Sequence, residues 1–295
     1  MKTPPVIDYE GSDYQESFWE KGNRAYEDAA EEIALKRLLP PGNGHLLELG
    51  AGAGRNTHRY RGYDRITLLD YSTTQLQQAL QRLGTDKKYR YVAADVYRLP
   101  FAPGVFNAAT MIRTIHHLAQ PHIAFEQINQ VLADRSLFLL EFANKRNIKS
   151  ILRYWLGRQD WSPFTREQVE FVKLNFDFHP GTVRETMRSQ GFAIQRQVAV
   201  SYMRAGFFKK VFPLPVLRVL EHILQRSMSW AALSPSIFLQ SFVENSQTPA
   251  QPGVFFRCPA CGQFPLADTP PAIHCDACGK DYPVRDGIYD FRLDD

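Results

Sequence analysis

One stretch constrains the fold of this chain more than any other: Leu46-Leu47-Glu48-Leu49-Gly50-Ala51-Gly52-Ala53-Gly54-Arg55, an apolar run that breaks into alternating glycines. A short apolar run reads as a buried strand. Glycines at its end supply positive φ for a tight turn and let a ligand approach the backbone. Around it, apolar runs at residues 45–49, 65–70, 89–94, 105–113 and 136–142 alternate with helical patterns at 25–38, 54–60, 74–83 and 121–132. In the last of these, Ile123, Phe125, Ile128, Val131 and Leu132 share one face. The alternation predicts an α/β fold with a doubly wound, mostly parallel sheet, to which residues 192–200 and 237–243 add two late strands, seven in all. In such sheets ligands bind at the carboxyl edge, beside the glycine turn.

The spacing of the glycines narrows the ligand. A dinucleotide fingerprint G-x-G-x-x-G counted from Gly50 needs glycine where the chain has Arg55, and no Gly-Lys-Ser or Gly-Lys-Thr follows to make a phosphate loop. Two acids end strands: Asp70, twenty residues after Gly50, and Asp95 in Ala93-Ala94-Asp95-Val96. Either alone reads as a helix cap or a solvated loop. Together, Glu48-x-Gly50-x-Gly52-x-Gly54, Asp70 and Ala94-Asp95 resemble the S-adenosylmethionine site of class I methyltransferases, a Rossmann-like family. The likeness runs through Leu99-Pro100-Phe101, covers roughly residues 15 to 145 and weakens toward 243. It implies S-adenosylmethionine as cofactor, with contacts from Glu48, Gly50, Ala51, Gly52, Asp70, Tyr71, Asp95 and Val96. Asp70 would hold the ribose, Asp95 the adenine amine, Val96 the adenine face, and the glycines the methionine portion. One departure is Asn107, where many members carry Asp early in the fourth strand.

A methylsulfonium is a strong electrophile, so such an enzyme chiefly aligns the nucleophile and excludes water; a general base matters only for a protonated acceptor. The loop Arg113-Thr114-Ile115-His116-His117-Leu118 follows the fourth strand, where acceptor contacts belong. Adjacent histidines point different ways, which makes His116 the candidate base and Arg113 the candidate contact for an anionic acceptor. The competing reading has both histidines packing or capping the next helix. With no cysteine before residue 258, a cysteine nucleophile and a three-cysteine iron–sulfur cluster are excluded there.

The four cysteines form two knuckles, Cys258-Pro-Ala-Cys261-Gly and Cys275-Asp-Ala-Cys278-Gly, a spacing that supplies four thiolates to one structural Zn²⁺. Together with Tyr282-Pro-Val-Arg-Asp-Gly-Ile, this segment resembles the small zinc-ribbon family that activates RNA and protein methyltransferases as a separate subunit. Tyr289 stands where that family has Pro. The expected organisation is a methyltransferase domain over 1–243 with a helical, lid-like region near 145–235, a linker at 244–253 and a zinc ribbon at 254–295.

Charge is uneven. Residues 145–230 carry fifteen Lys and Arg against six Asp and Glu, a net +9, while residues 254–295 carry four against seven, a net −3. The basic segment could meet phosphate or an acidic substrate. The acidic ribbon is better suited to docking on its own catalytic domain or on a partner protein. In the basic segment Trp155, Trp161, Phe164, Phe171, Phe176, Phe178, Phe207 and Phe208 read mostly as core. Val216, Val219, Leu220, Ile223 and Leu224 form a helical stripe suited to a membrane, a lipid-like substrate or the rest of the domain, of which packing on the domain is the expectation.

An apolar content of 44% and a charged content of 22% are ordinary for a packed domain and exclude disordered or fibrous classes. No apolar run approaches the ~18 residues of a membrane span, and the N-terminus lacks an apolar leader, so the expectation is a soluble, cytoplasmic protein without a stable membrane span. Three functions stand. The first is methyl transfer to O, N or C of a small molecule, since residues 99–118 resemble the branch containing quinone-biosynthesis enzymes. The second is an RNA or translation-factor methyltransferase, and the third a zinc-ribbon scaffold with a vestigial pocket.

Overall fold

The computed structural model describes residues 4–5, 10–11 and 24–293. The start of the family likeness, residues 15 to 23, lies outside them. Helix α1 (Ala25–Leu38) sets Ala30, Ala34, Leu35 and Leu38 against the sheet, with acids in its first turn and Lys36 and Arg37 in its last, where each sign suits the helix dipole. The strands that follow are β1 (His45–Leu49), β2 (Arg65–Asp70), β3 (Tyr89–Ala93), β4 (Phe106–Met111) and β5 (Leu132–Ala143). Between them lie α2 (Thr73–Leu83), capped by Ser72 Oγ accepting from Gln75 N at 3.3 Å, and α3 (Pro121–Val131). The chain continues through α4 (Ile148–Trp155), the hairpin β6 (Val169–Val172) and β7 (Asn175–Asp177), α5 (Pro180–Ser189) and β8 (Phe192–Val200). It closes with α6 (Gly206–Val211), α7 (Leu214–Ser227), β9 (Ser236–Val243), β10 (Ala272–His274), β11 (Asp281–Arg285) and β12 (Ile288–Asp290).

The main sheet has the order β10-β11-β12-β3-β2-β1-β4-β5-β9-β8. The seven strands from β3 to β8 are the Rossmann-like sheet read from the sequence, parallel from β3 through β5 and antiparallel at β9. Both faces are buried, so β1 is nearly all apolar: Leu46 faces the core beneath α1, α2 and α7, while Leu47 and Leu49 face the core beneath α3 and α5. Chain order reverses at β1, whose neighbours are β2 and β4, and the crevice of an open α/β sheet belongs at that reversal.

Several expectations need correction. The helix expected at 54–60 is only a 3₁₀ turn at Thr57–Arg59, because Gly52 and Gly54 sit in the left-handed region and break the helical path. Asn107 lies at the far end of the sheet from the glycine turn, where its Oδ1 accepts from His45 N at 2.8 Å. The 145–235 region mixes four helices with a hairpin and a full strand. Of the aromatics expected in its core, Phe176 and Phe178 are buried, whereas Trp155, Phe164, Phe171 and Phe207 are exposed. Helix α7 packs through Leu217, Glu221 and Gln225 and turns Val216, Val219 and Ile223 outward. Glu221 justifies that choice: its carboxylate accepts from Tyr26 Oη at 2.5 Å, Ser201 N at 2.7 Å and Gln225 Nε2 at 3.0 Å.

The ribbon joins the same sheet. β12 pairs in parallel with β3 (Ile288 with Tyr91, Asp290 with Ala93), and Phe256, Ile273, Tyr282 and Phe291 enter the core. The Arg90 guanidinium lies 4.3 Å from the Phe255 ring centre. Residues 244–253 are laid along the domain: Asp134 N donates to Gln247 O at 2.9 Å, and Ala250 N donates to Gly104 O at 3.0 Å. Among the described residues no helix is long and apolar enough to cross a membrane.

Candidate functional site

A cavity of about 1050 Å³, including the solvent at its mouth, opens at the carboxyl ends of β1, β2 and β4. The glycine turn forms its floor. Gly50 has φ +65°, and a Cβ there would stand 2.1 Å from Thr114 Oγ1, so two constraints exclude a side chain. Asp70, at the end of β2, accepts from Gly52 N at 2.8 Å and from Ser72 N at 3.0 Å; one carboxylate thus fastens the glycine turn to the start of α2. It also lines the cavity, with Tyr71, Val96, Ile112 and Leu118.

Glu48 lines the cavity too, but its oxygens are engaged by Thr57 Oγ1 at 2.6 Å and Tyr60 Oη at 3.0 Å. Burial outweighs those bonds and pushes its carboxyl up to about 7. Arg55 and Arg113, which line the cavity, belong to an ion-pair chain: Glu31 of α1 meets Arg55 at 2.5 Å and also pairs with Arg113, while Asp28 pairs with Arg55 and meets Arg59 at 2.6 Å. Burial opposes ionisation of Glu31, but the two guanidiniums prevail and hold its carboxyl below the usual range. Arg113 carries φ +56°, and its backbone N donates to Glu141 at 2.8 Å. The residue chosen for an anionic acceptor therefore lines the cavity with its charge already shared with an acid.

Of the expected contacts, Glu48, Gly50, Ala51, Gly52, Asp70, Tyr71, Val96 and Arg113 come together around this cavity. Asp95 does not line it. That residue accepts from Tyr97 N at 2.9 Å and borders a smaller recess with Tyr71, Arg98 and Phe291. His116 also lies off the cavity, which His117 lines instead. His117 Nδ1 is 3.3 Å from Leu174 O, a contact that assigns the ring proton to Nδ1 and leaves Nε2 to accept. Burial lowers the pKa of both histidines and keeps them neutral. Asp28, Glu31, Arg55 and Thr114 were not read from the sequence. The signal available was a pair of acids three residues apart on the buried side of α1, ahead of an arginine in the glycine turn.

The chemistry of the lining fits an adenosyl cofactor: a carboxylate at the end of β2 for a ribose diol, apolar Val96 and Leu118 for a ring, and bare backbone at Gly52, where a Cβ would meet only Gln75 Oε1 at 3.7 Å. A second constellation lies in the ribbon. The four cysteine sulfurs are within 4.8 Å of one another, with Cys258–Cys278 and Cys261–Cys275 at 3.6 Å. Tetrahedral zinc with bonds of about 2.3 Å requires separations of about 3.8 Å, so the thiols fit the metal. Tyr282 Oη lies 3.0 Å from Cys258 Sγ and offers it a hydrogen bond, as do the backbone N–H groups of Ala260 and Cys261.

Residues 47–140 match the family model described as a methyltransferase domain. The chain is 30% identical over 128 residues to a demethylmenaquinone methyltransferase of Chlamydia felis (39% of this chain, 55% of that one). It is 25% identical over 148 residues to a malonyl-[acyl-carrier protein] O-methyltransferase of Legionella pneumophila (49% of this chain, 50% of that one). The chain thus spans about half the length of these curated relatives. Among solved structures, a chain from a complex of the Haloferax volcanii Trm112 methyltransferase activator with a methyltransferase superposes with a TM-score of 0.55 at 17% identity. That match covers 79% of this chain and 96% of the other. The matched region, the strand order and the glycine turn agree: residues 47–140 are similar to methyltransferase domains, and the sheet that carries them has the Rossmann-like order.

Proposed function

We propose that this chain is an S-adenosylmethionine-dependent methyltransferase that methylates O, N or C of a small-molecule acceptor, and that its ribbon holds a structural zinc ion. The observation that carries this reading is the cavity at the β1–β4 reversal, whose floor is the Gly50–Gly52 turn and whose acid is Asp70, inside a matched methyltransferase domain. When bound, S-adenosylmethionine supplies an activated methyl group. Asp70 would hold the ribose hydroxyls, Val96 and Leu118 would flank the adenine, and the bare backbone at Gly50 and Gly52 would leave room for the methionine portion. Asp95 supports the same ligand from the neighbouring recess. The aromatic and apolar wall keeps water from the reacting centre.

His117 replaces His116 as the group facing the acceptor. Its neutral ring, oriented by Leu174 O, can take a proton from an acceptor hydroxyl or amine through Nε2. Arg113, fixed by Glu31 and Glu141, positions rather than reacts. Closed four-thiolate coordination leaves no position for substrate, so the zinc acts on stability. An RNA acceptor has less support, because the cations of the 145–230 segment are interleaved with exposed aliphatic side chains and do not form a polar track.

The test is calorimetric titration of the zinc-loaded chain with S-adenosylhomocysteine, with NADH as control. Micromolar binding, weakened at least about tenfold by Asp70→Ala as expected from losing a charged hydrogen-bond partner, supports the reading. Absence of binding by wild type overturns it and leaves the scaffold reading.

A further inference from the structure

Two helices turn apolar stripes to solvent. On α4, Ile148, Leu152 and Trp155 stand one helical turn apart at 56%, 49% and 70% exposure; on α7, Val216, Val219 and Ile223 repeat the pattern. Trp230, 83% exposed, follows the end of α7, and three residues later Leu233 O accepts from Ile148 N, the first residue of α4, at 2.9 Å. The segment that follows α7, with Trp230 in it, is therefore tied to the start of α4. A monomer in water rarely leaves so many large apolar side chains together without a partner.

The charge of the same segments names the partner. Residues 145–158 hold five Lys and Arg and no acid; residues 204–230 hold five and one acid, Glu221, which is buried. Lys149, Arg153, Arg158, Lys210 and Arg226 are exposed. Cationic helices with aliphatic stripes and tryptophans match an anionic lipid surface, where the apolar side chains enter the headgroup boundary and the cations stay at phosphate level. Trp155 and Trp230 can stack on bases, but the Ile, Leu and Val side chains that make up most of the stripes can neither stack nor bond phosphate, which favours lipid over RNA. A second copy across a two-fold axis would set one positive patch against another, which argues against self-association.

We infer that the α4–α7 face seats this chain on the surface of an anionic lipid bilayer without crossing it. Because α4 leaves the carboxyl edge of β5, the edge at which the cavity opens, seating places the cavity on the lipid side of the molecule. The inference does not depend on which acceptor is methylated.

The experiment is cosedimentation of the zinc-loaded full chain with vesicles of phosphatidylcholine alone and of phosphatidylcholine mixed with phosphatidylglycerol, at low and high salt. The variants are Leu152→Ser with Trp155→Ser, Val219→Ser with Ile223→Ser, and Lys149→Glu with Arg153→Glu. All are surface positions, so each variant keeps the wild-type melting temperature and cofactor affinity, which certifies its fold. The expected result is at least about tenfold stronger partitioning onto anionic vesicles, weakened by salt, and at least about tenfold lost in each paired variant. Equal partitioning onto both vesicles, no partitioning, or variants that bind like wild type overturn the proposal. So does transfer RNA binding, or dimerisation in sedimentation velocity, that the same variants abolish in place of vesicle binding.

Discussion

At the residue scale the glycine turn and its acids have separable roles. Gly50→Ala forces a Cβ into the left-handed region and into Thr114, and is expected to cost about 1–3 kcal/mol of stability in denaturant unfolding while abolishing S-adenosylhomocysteine binding. Glu48 sets a pH dependence. Its folded carboxyl titrates at about 7 against 4.5 unexposed to the fold, so the folded state holds the proton longer. The associated stability is complete below about 4.5 and declines as pH rises through 7. Asp177, lifted to about 6 by burial, acts in the same direction. Melting temperatures of Glu48→Gln measured between those limits should show a flatter decline than wild type. His117→Ala should lower kcat about 10²-fold or more toward a protonated acceptor while leaving S-adenosylhomocysteine affinity within a factor of two; an unchanged kcat removes its role as base. That Gly50 and Asp70 line the cavity was legible because residue type restricts what can stand at a strand end that turns sharply. His116 against His117 was not, because adjacent positions in a 3₁₀ turn differ only in direction, which the sequence does not record.

At the element scale, strands read well and helix faces less so. Residues 45–49 and 65–70 have the limits expected, since strands buried on both faces are largely apolar runs bounded by turn residues; residues 192–200 also match, although that strand ends the sheet and exposes Gln195 and Arg196. Helix α7 was assigned the wrong inner face. Periodicity locates a stripe but not the neighbour that covers it, and here a buried carboxylate with several donors outweighs the aliphatic side. Glu221→Ala strands the Tyr26 hydroxyl and the Ser201 and Tyr202 amides, and should cost about 3 kcal/mol or more in chemical denaturation. Val219→Ser, on the apolar side, should stay within about 0.5 kcal/mol. The reverse ranking would mean that α7 packs as its hydrophobic pattern suggested.

At the scale of the whole molecule the ribbon is part of the sheet. Cysteine spacing revealed the knuckles, yet nothing local to residues 288–290 announces pairing with residues 91–93, because register between distant strands is set by packing and not by pattern. Removing zinc with a chelator should melt β10–β12 and uncover β3; hydrogen exchange should rise together at 288–291 and 89–93. Cofactor affinity should fall with it, since Arg292 Nη1 donates to Tyr71 O at 3.3 Å, beside the cavity. Exchange confined to the ribbon would show the two to be independent.

The pairing of β12 with β3 also orders events in time. Some 195 residues separate the partners, so during synthesis at ~5–20 residues per second the outer edge of β3 waits roughly ten to forty seconds for its neighbour. An open strand edge over that interval is a template for pairing with other chains. Nascent chains stalled before residue 258 should thus be more prone to associate than the finished protein, and a chaperone acting on this chain would have its window there.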